Sequence, residues 1–314
     1  MIFGSGHGFA RVPRIFAMAI LETIANRQSQ WSETANQLKS TIDRARWSVF
    51  ALSSLGAVLA AVASQLPDNT TAPRSTAAIA GAVSLALATF FTQRLLGTDR
   101  ISAWVRVRAI SERLKREAYR FAAGAAPYND PAKADALLDE EGRKIEADGE
   151  DLLPQLVRTA TQGSLPRQSL QQEQYIKQRV QGHIDWFTKR AGSNQAVVVR
   201  LRRVEFALAA LATLLTAVAG VAAKPVIAGV PFDIVAFTAV LTTLGGAVLA
   251  HIEASRYDFL VTTFRAAARR LEDCTNRPRP SWSDFVNECE NILATENTSW
   301  IAKFTGKPEA TSSP

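Results

Sequence analysis

The densest group of ionisable side chains in this 314-residue sequence is Asp139, Glu140, Glu141, Glu146, Asp148, Glu150 and Asp151. Paired carboxylates can do general acid–base chemistry. These follow one another along a single stretch, Lys133 to Arg158, and read as a solvated helix face. His183 falls on an apolar stripe and His251 at the end of an apolar run, neither with partners at metal-ligand spacing. The only cysteines, Cys274 and Cys289, match no metal pattern and read as reduced packing residues. The glycines of the opening MIFGSGHG follow no strand that would make them a phosphate loop. Nowhere do a nucleophile, a base and a metal site converge, so the expectation is a protein that is not an enzyme, with no cofactor and no metal.

Two further patterns point to binding or packing. Arg108 and Arg113 recur as Arg265 and Arg270 in the second half of the chain. They could hold an anionic ligand or lipid headgroups, or form a solvated, salt-bridged helix face. Small and polar residues recur four apart, as Ala80, Ser84, Ala88 and Thr92 and again as Thr238, Thr242 and Gly246. Such stripes let helices approach closely, and they could also line a pore.

The elements that carry these stripes are apolar. Trp47 to Pro67, Ser75 to Gln93, Phe206 to Ala223 and Ile234 to Ala250 contain no charged residue. At about 1.5 Å per residue each approaches the roughly 30 Å of a bilayer's hydrocarbon core. The first two flank a turn with Asp68, Asn69, Pro73 and Arg74, and the second two flank Lys224, Pro225, Gly229, Pro231 and Asp233. The expected fold is therefore all-α: a helical integral membrane protein of two transmembrane hairpins and long cytoplasmic helices. An ordinary soluble core is the competing reading, but soluble helices usually keep a charged face. No ionisable residue lies near mid-span, which argues against an ion-coupled transporter.

Charge orients the spans. Arg44, Arg46, Arg94, Arg100, Arg200, Arg202, Arg203 and Arg256 all flank one side, whereas each turn pairs one acid with one base. The positive-inside bias then puts both turns outside and both termini, with Gly97 to Val199, in the cytoplasm. The expected location is the cell inner membrane, crossed four times. The net charge of +7 gathers at span ends and on mixed helices, which fits the lipid bilayer as partner and not direct nucleic acid. Phe9 to Leu21 is broken by Arg11, Pro13 and Arg14, so the first hairpin is expected to act as the insertion signal.

Five segments follow along the chain: a flexible N-terminus, 1–15; a first entry helix, hairpin and exit helix, 16–130; an acidic helix and linker, 131–168; a second entry helix, hairpin, exit helix and terminal helix, 169–305; and a flexible tail, 306–314. Ile20, Ile24, Trp31, Ala35, Leu38 and Ile42 form the apolar stripe of the first entry helix, and Trp104, Val107, Ile110, Leu114, Ala118 and Phe121 that of its exit helix. With no proline between them, Asp233 and Cys274 are expected to bound one unbroken helix. Ser281 and Asp284 suit a capping box for the last helix. A shift of 157 residues lays Arg46 on Arg203, and Arg108, Ala109, Arg113 and Leu114 on Arg265, Ala266, Arg270 and Leu271, with no gap. That register suggests a parallel internal repeat.

The string YIKQRVQGHIDWFTKRAGSN, Tyr175 to Asn194, resembles the segment before the hairpin in the SLATT family, the SMODS and SLOG-associating two-transmembrane effectors. Its similar features are Tyr175, Arg179, Ile184, Trp186, Phe187, Lys189, Ala191 and Asn194. Arg256 to Glu272 and Phe285 to Trp300 are similar to that family's exit and terminal helices, including Glu290, Glu296 and Trp300. Trp104 to Tyr128 resembles the exit helix of a sister subfamily, so two tandem copies are expected, although the first entry helix lacks the tyrosine-to-tryptophan signature. The resemblance implies a bacterial membrane effector of nucleotide-signalled conflict, or antiphage, systems. Such an effector would form a pore or perturb the membrane as a homo-oligomer, with a nucleotide-sensing partner protein. A non-conducting membrane scaffold or sensor is the alternative.

Overall fold

The fold is given by a computed structural model, which describes residues 15–66, 70–158, 163, 165–221, 226–227, 230–231, 233–278 and 281–305. The terminal segments expected to be flexible lie outside these residues, apart from Ile15. So do the turn residues Asp68, Asn69, Lys224, Pro225 and Gly229. The chain is built from helices: α1 Ile15–Gln65, α2 Thr71–Leu95, α3 Thr98–Ala122, α4 Ala134–Ala147, α5 Gln172–Tyr175, α6 Gly182–Val221, α7 Ile234–Ser255, α8 Tyr257–Asn276 and α9 Trp282–Thr305. A 3-10 turn covers Glu150–Gln155, and a π-turn, Ile176–Gln181, joins α5 to α6. The strand content among the described residues is one two-residue antiparallel ladder, Val226–Ile227 against Val230–Pro231.

Four helical stretches, Ala19–Gln65, Thr71–Leu95, Gln172–Val221 and Ile234–Asn276, are long and apolar enough to cross a membrane. Their side chains lack the burial that an ordinary core would require. Phe206 is 72% exposed, Val235 69%, Leu214 65% and Ile79 64%. At about 25 cal/mol per Å2 of apolar surface, leaving such a set in water would be costly. Lipid removes the cost, so the chain is an all-α membrane protein.

The chain divides into two compact units. The first gathers residues 1–35, 106–182 and 274–298, and the second 36–105, 183–273 and 299–314. In the first unit Trp31 of α1, Val107, Ile110, Leu114 and Ala118 of α3, Leu138 and Ile145 of α4, and Phe285, Val286 and Cys289 of α9 make a conventional core. Three of the acids read as a solvated face also bond at its rim, Asp148 and Asp151 while staying exposed: Arg106 donates to Asp151, Arg113 to Asp148, and Trp31 Nε1 to Glu146 at 2.9 Å. The cap of α9 forms as its residues suggest, with Asp284 N donating to Ser281 Oγ at 3.1 Å. Cys274 and Cys289 are free, buried thiols, their Sγ atoms 3.6 Å apart.

In the second unit α1 and α2 pack closely through small residues. Gly81, Ser84 and Ala88 are the buried face of α2, and a Cβ on Gly81 would lie 3.3 Å from Gly56 O and 3.4 Å from Ala60 N. α1 meets α7 at both ends of the apolar run. Near one end Gln65 Nε2 donates to Asp233 O, and Asp233 N donates to Gln65 Oε1, each at 2.9 Å. Near the other, His251 sits between Trp47 and Phe50, with ring centroids 4.5 and 5.1 Å away. The helix expected to run unbroken from Asp233 to Cys274 is interrupted at Arg256, whose φ of 54° and ψ of 32° place it in the left-handed region between α7 and α8.

Candidate functional site

The described residues leave two places where side chains converge in a way the core does not require, one in each unit. The first is a groove of roughly 430 Å3 between α6 and α7. Ala209, Ala212, Thr213 and Thr216 line one wall, and Thr238, Leu241, Thr242, Gly245, Gly246 and Leu249 the other, with Glu205 at one end. Both walls follow a 3–4–7 spacing, which puts each set on one side of its helix. The groove exists because these residues are small: nothing lies within 4 Å of a Cβ built on Gly246, and only Leu208 Cβ, at 4.0 Å, is near Gly245. The threonine hydroxyls are internally satisfied. Thr213 donates to Ala209 O, Thr216 to Ala212 O, Thr238 to Ile234 O and Thr242 to Thr238 O, at 2.8–3.0 Å. Their oxygens can still accept, so the surface is mildly polar without being charged.

The second place is a polar centre inside the first unit. Glu290 of α9 accepts from Tyr175 Oη at 2.9 Å and from Arg179 Nε at 2.9 Å on one oxygen, and from Arg179 Nη2 at 2.7 Å on the other. The pair is almost fully enclosed, and the Arg179 guanidinium also lies 4.4 Å from the Tyr119 ring centroid. Burial opposes its charge, but Glu290 raises the guanidinium above its ordinary pKa, so the ion pair stays formed. Burial and the Glu290 charge likewise push the Tyr175 phenol well up. Arg179 stands in the π-turn, where one extra residue per turn redirects side chains. Nearby on α9, Glu296 and Asn297 are buried with Glu296 Oε1 and Asn297 Oδ1 unpaired. Burial raises the Glu296 carboxyl to about 7, Arg108 pulling down against it and Glu112 adding to it. A separate hollow of roughly 460 Å3 includes Arg116, Arg120, Lys144, Glu117 and Asn287, but its bases are engaged. Arg120 donates to Asn287, Ala126 O and Glu117, Arg116 to Glu117, and Lys144 to Glu140.

Two family models match the chain. Residues 175–300 match the SMODS and SLOG-associating 2TM effector domain 1. Residues 29–136 match a different model, described as a protein of unknown function (DUF4231). No curated protein and no solved structure was found to match. The first of these matches, residues 175–300, contains α6 to α8 and the greater part of α9, and with them the groove, the Tyr175–Arg179–Glu290 centre and Glu296.

Residues singled out from sequence fall into different environments. Ser84 and Ala88 are buried, on the side of α2 that carries Gly81, and Thr92, on the same helix, is exposed. Thr238, Thr242 and Gly246 instead line the groove between α6 and α7. Arg108 lies in the first unit, within electrostatic reach of Glu112 and Glu296, and Arg113 is paired with Asp148. Arg265 and Arg270 are exposed on α8 in the second unit. The four arginines are thus divided between the units and do not form one site within either. The groove also takes in Glu205, Thr213, Thr216 and Gly245, which the stripes picked out in the sequence did not include, although Ala209, Thr213 and Thr216 have the same spacing as Thr238, Thr242 and Gly245. It noted Tyr175, Arg179 and Glu290 only as features of a resemblance, without their contact.

Proposed function

We propose that this protein is a membrane effector of a bacterial conflict system, held in the inner membrane by two helical hairpins with both termini cytoplasmic, and that it permeabilises the membrane as a homo-oligomer. The observation that carries the reading is the match of residues 175–300 to a 2TM effector domain, in a segment whose helices expose apolar side chains. A nucleotide-sensing protein is the partner this reading calls for. In it, Thr238, Thr242 and Gly246 serve the conducting or docking surface, and Ser84 and Ala88 hold the first hairpin together, with Thr92 left exposed. Arg265 and Arg270 face anionic headgroups or an anionic ligand, while Arg108 and Arg113 serve ion pairing.

The groove is too small and too weakly polar to be a water path within one copy, so conduction requires several. Controlled expression in bacteria tests this. Membrane depolarisation and growth arrest are expected with wild type, and Thr242→Leu, which fills the groove, is expected to reduce both while the protein remains in the membrane fraction. Unchanged membrane potential at high expression, with the activating partner present, would support the scaffold reading instead.

A further inference from the structure

The hairpins present two surfaces of opposite shape. The face of α2 opposite Gly81, Ser84 and Ala88 is a ridge: Ile79, Val83, Leu87 and Phe90 are exposed and recur at helical spacing. The same line ends at Arg94, in the last turn of α2 and the first charge after the span. The groove between α6 and α7 is the complement, with small residues along its length and Glu205 as the last charge before the span. Neither Arg94 nor Glu205 has a side-chain hydrogen bond or ion pair among the described residues. The polarity also agrees. α2 finishes, and α6 begins its apolar run, on the same side of the membrane, so copies inserted alike bring Arg94 and Glu205 to one depth. Ile79 to Arg94 spans about 22 Å and Glu205 to Thr216 about 16 Å, so the ridge covers the groove's length.

We propose that copies associate head to tail in the bilayer, the α2 ridge of one seated in the α6–α7 groove of the next, with Arg94 meeting Glu205 at the membrane boundary. The idea rests on the effector reading, for which it supplies the assembly step. Lipid tails are as apolar as the ridge, so the gain comes from close packing against Gly245, Gly246 and the threonines and from pairing two charges that otherwise lack partners. Because ridge and groove are different surfaces, the contact is heterologous. It leaves one of each surface free in every dimer, and growth continues until a ring closes. A ring of several copies encloses its axis, where a membrane path can open.

Cysteine cross-linking in membranes tests it. With copper–phenanthroline as oxidant, the doubly substituted Arg94→Cys/Glu205→Cys chain is expected to give a ladder of dimer, trimer and higher species on non-reducing gels. Each single variant alone should stay at wild-type background, and the two co-expressed should stop at dimer. In parallel, Arg94→Glu and Glu205→Arg should each cut vesicle dye leakage several-fold while resisting carbonate extraction, and the double swap should restore it. Dimers from either single variant, or no products from the double variant, would overturn head-to-tail assembly, as would a groove filled by lipid with leakage insensitive to both charges. Leakage without a ladder defeats the interface and leaves the effector reading standing. A ladder from protein that never leaks does the reverse.

Discussion

Glu290 and Arg179 show how one pair governs the first unit. Both are out of water, and three hydrogen bonds from Tyr175 and Arg179 reach the carboxylate. Removing one partner strands a buried charge, which costs about 3–5 kcal/mol. Glu290→Ala should lower the denaturation midpoint of detergent-solubilised protein accordingly, whereas Arg179→Met combined with Glu290→Leu should cost far less than the sum of the single changes. Glu296 gives a pH signature. Its folded pKa of about 7 lies above the ordinary glutamate value of 4.5, so the folded state binds the extra proton between those limits. Stability is then highest below pH 4.5 for this group and falls as pH rises to 7, by about 1.4 kcal/mol for each unit of displacement. Glu296→Gln should flatten that part of the profile and be more stable than wild type at pH 8. These partners were not legible in the sequence, because Arg179 and Glu290 stand 111 positions apart and nothing local marks them as a pair.

At the level of the helix, the apolar runs were readable because the absence of charge over a span's length needs no knowledge of packing. The role of each small residue was not. Gly81 and Gly246 look alike as letters on an apolar helix, yet one is pressed against Gly56 and Ala60 and the other opens on a groove. Gly81→Val should therefore destabilise the first hairpin, while Gly246→Leu should leave thermal stability close to wild type and reduce membrane leakage. The break between α7 and α8 was hidden for a related reason: its left-handed residue is Arg256, where a glycine would have announced it. A non-glycine residue there costs about 1–2 kcal/mol, so Arg256→Gly should raise stability by up to that amount. Ala267→Pro, inside α8 and buried, should cost about 3 kcal/mol or more. Thermal unfolding of both variants in one detergent checks the contrast.

Over the whole molecule, charge distribution and exposed apolar surface support the same arrangement. Arginines crowd one boundary of the four apolar runs, and large apolar side chains of those runs, among them Ile79, Phe206, Leu214 and Val235, face outwards. Thiol labelling from outside intact cells should reach cysteines placed at Asn69 or Gly229 and should miss those at Ser164 or Ser312; the opposite pattern would invert the topology. The effector account stands on whether the assembled protein opens a bilayer. The most direct measurement is release of an encapsulated dye from liposomes of bacterial polar lipid containing the purified chain, with and without the nucleotide-sensing protein that the proposed function calls for. Release that rises steeply with protein-to-lipid ratio, and that falls in Gly246→Leu, is the predicted result. Liposomes that stay sealed at every ratio, with wild-type protein inserted and assembled, would contradict it.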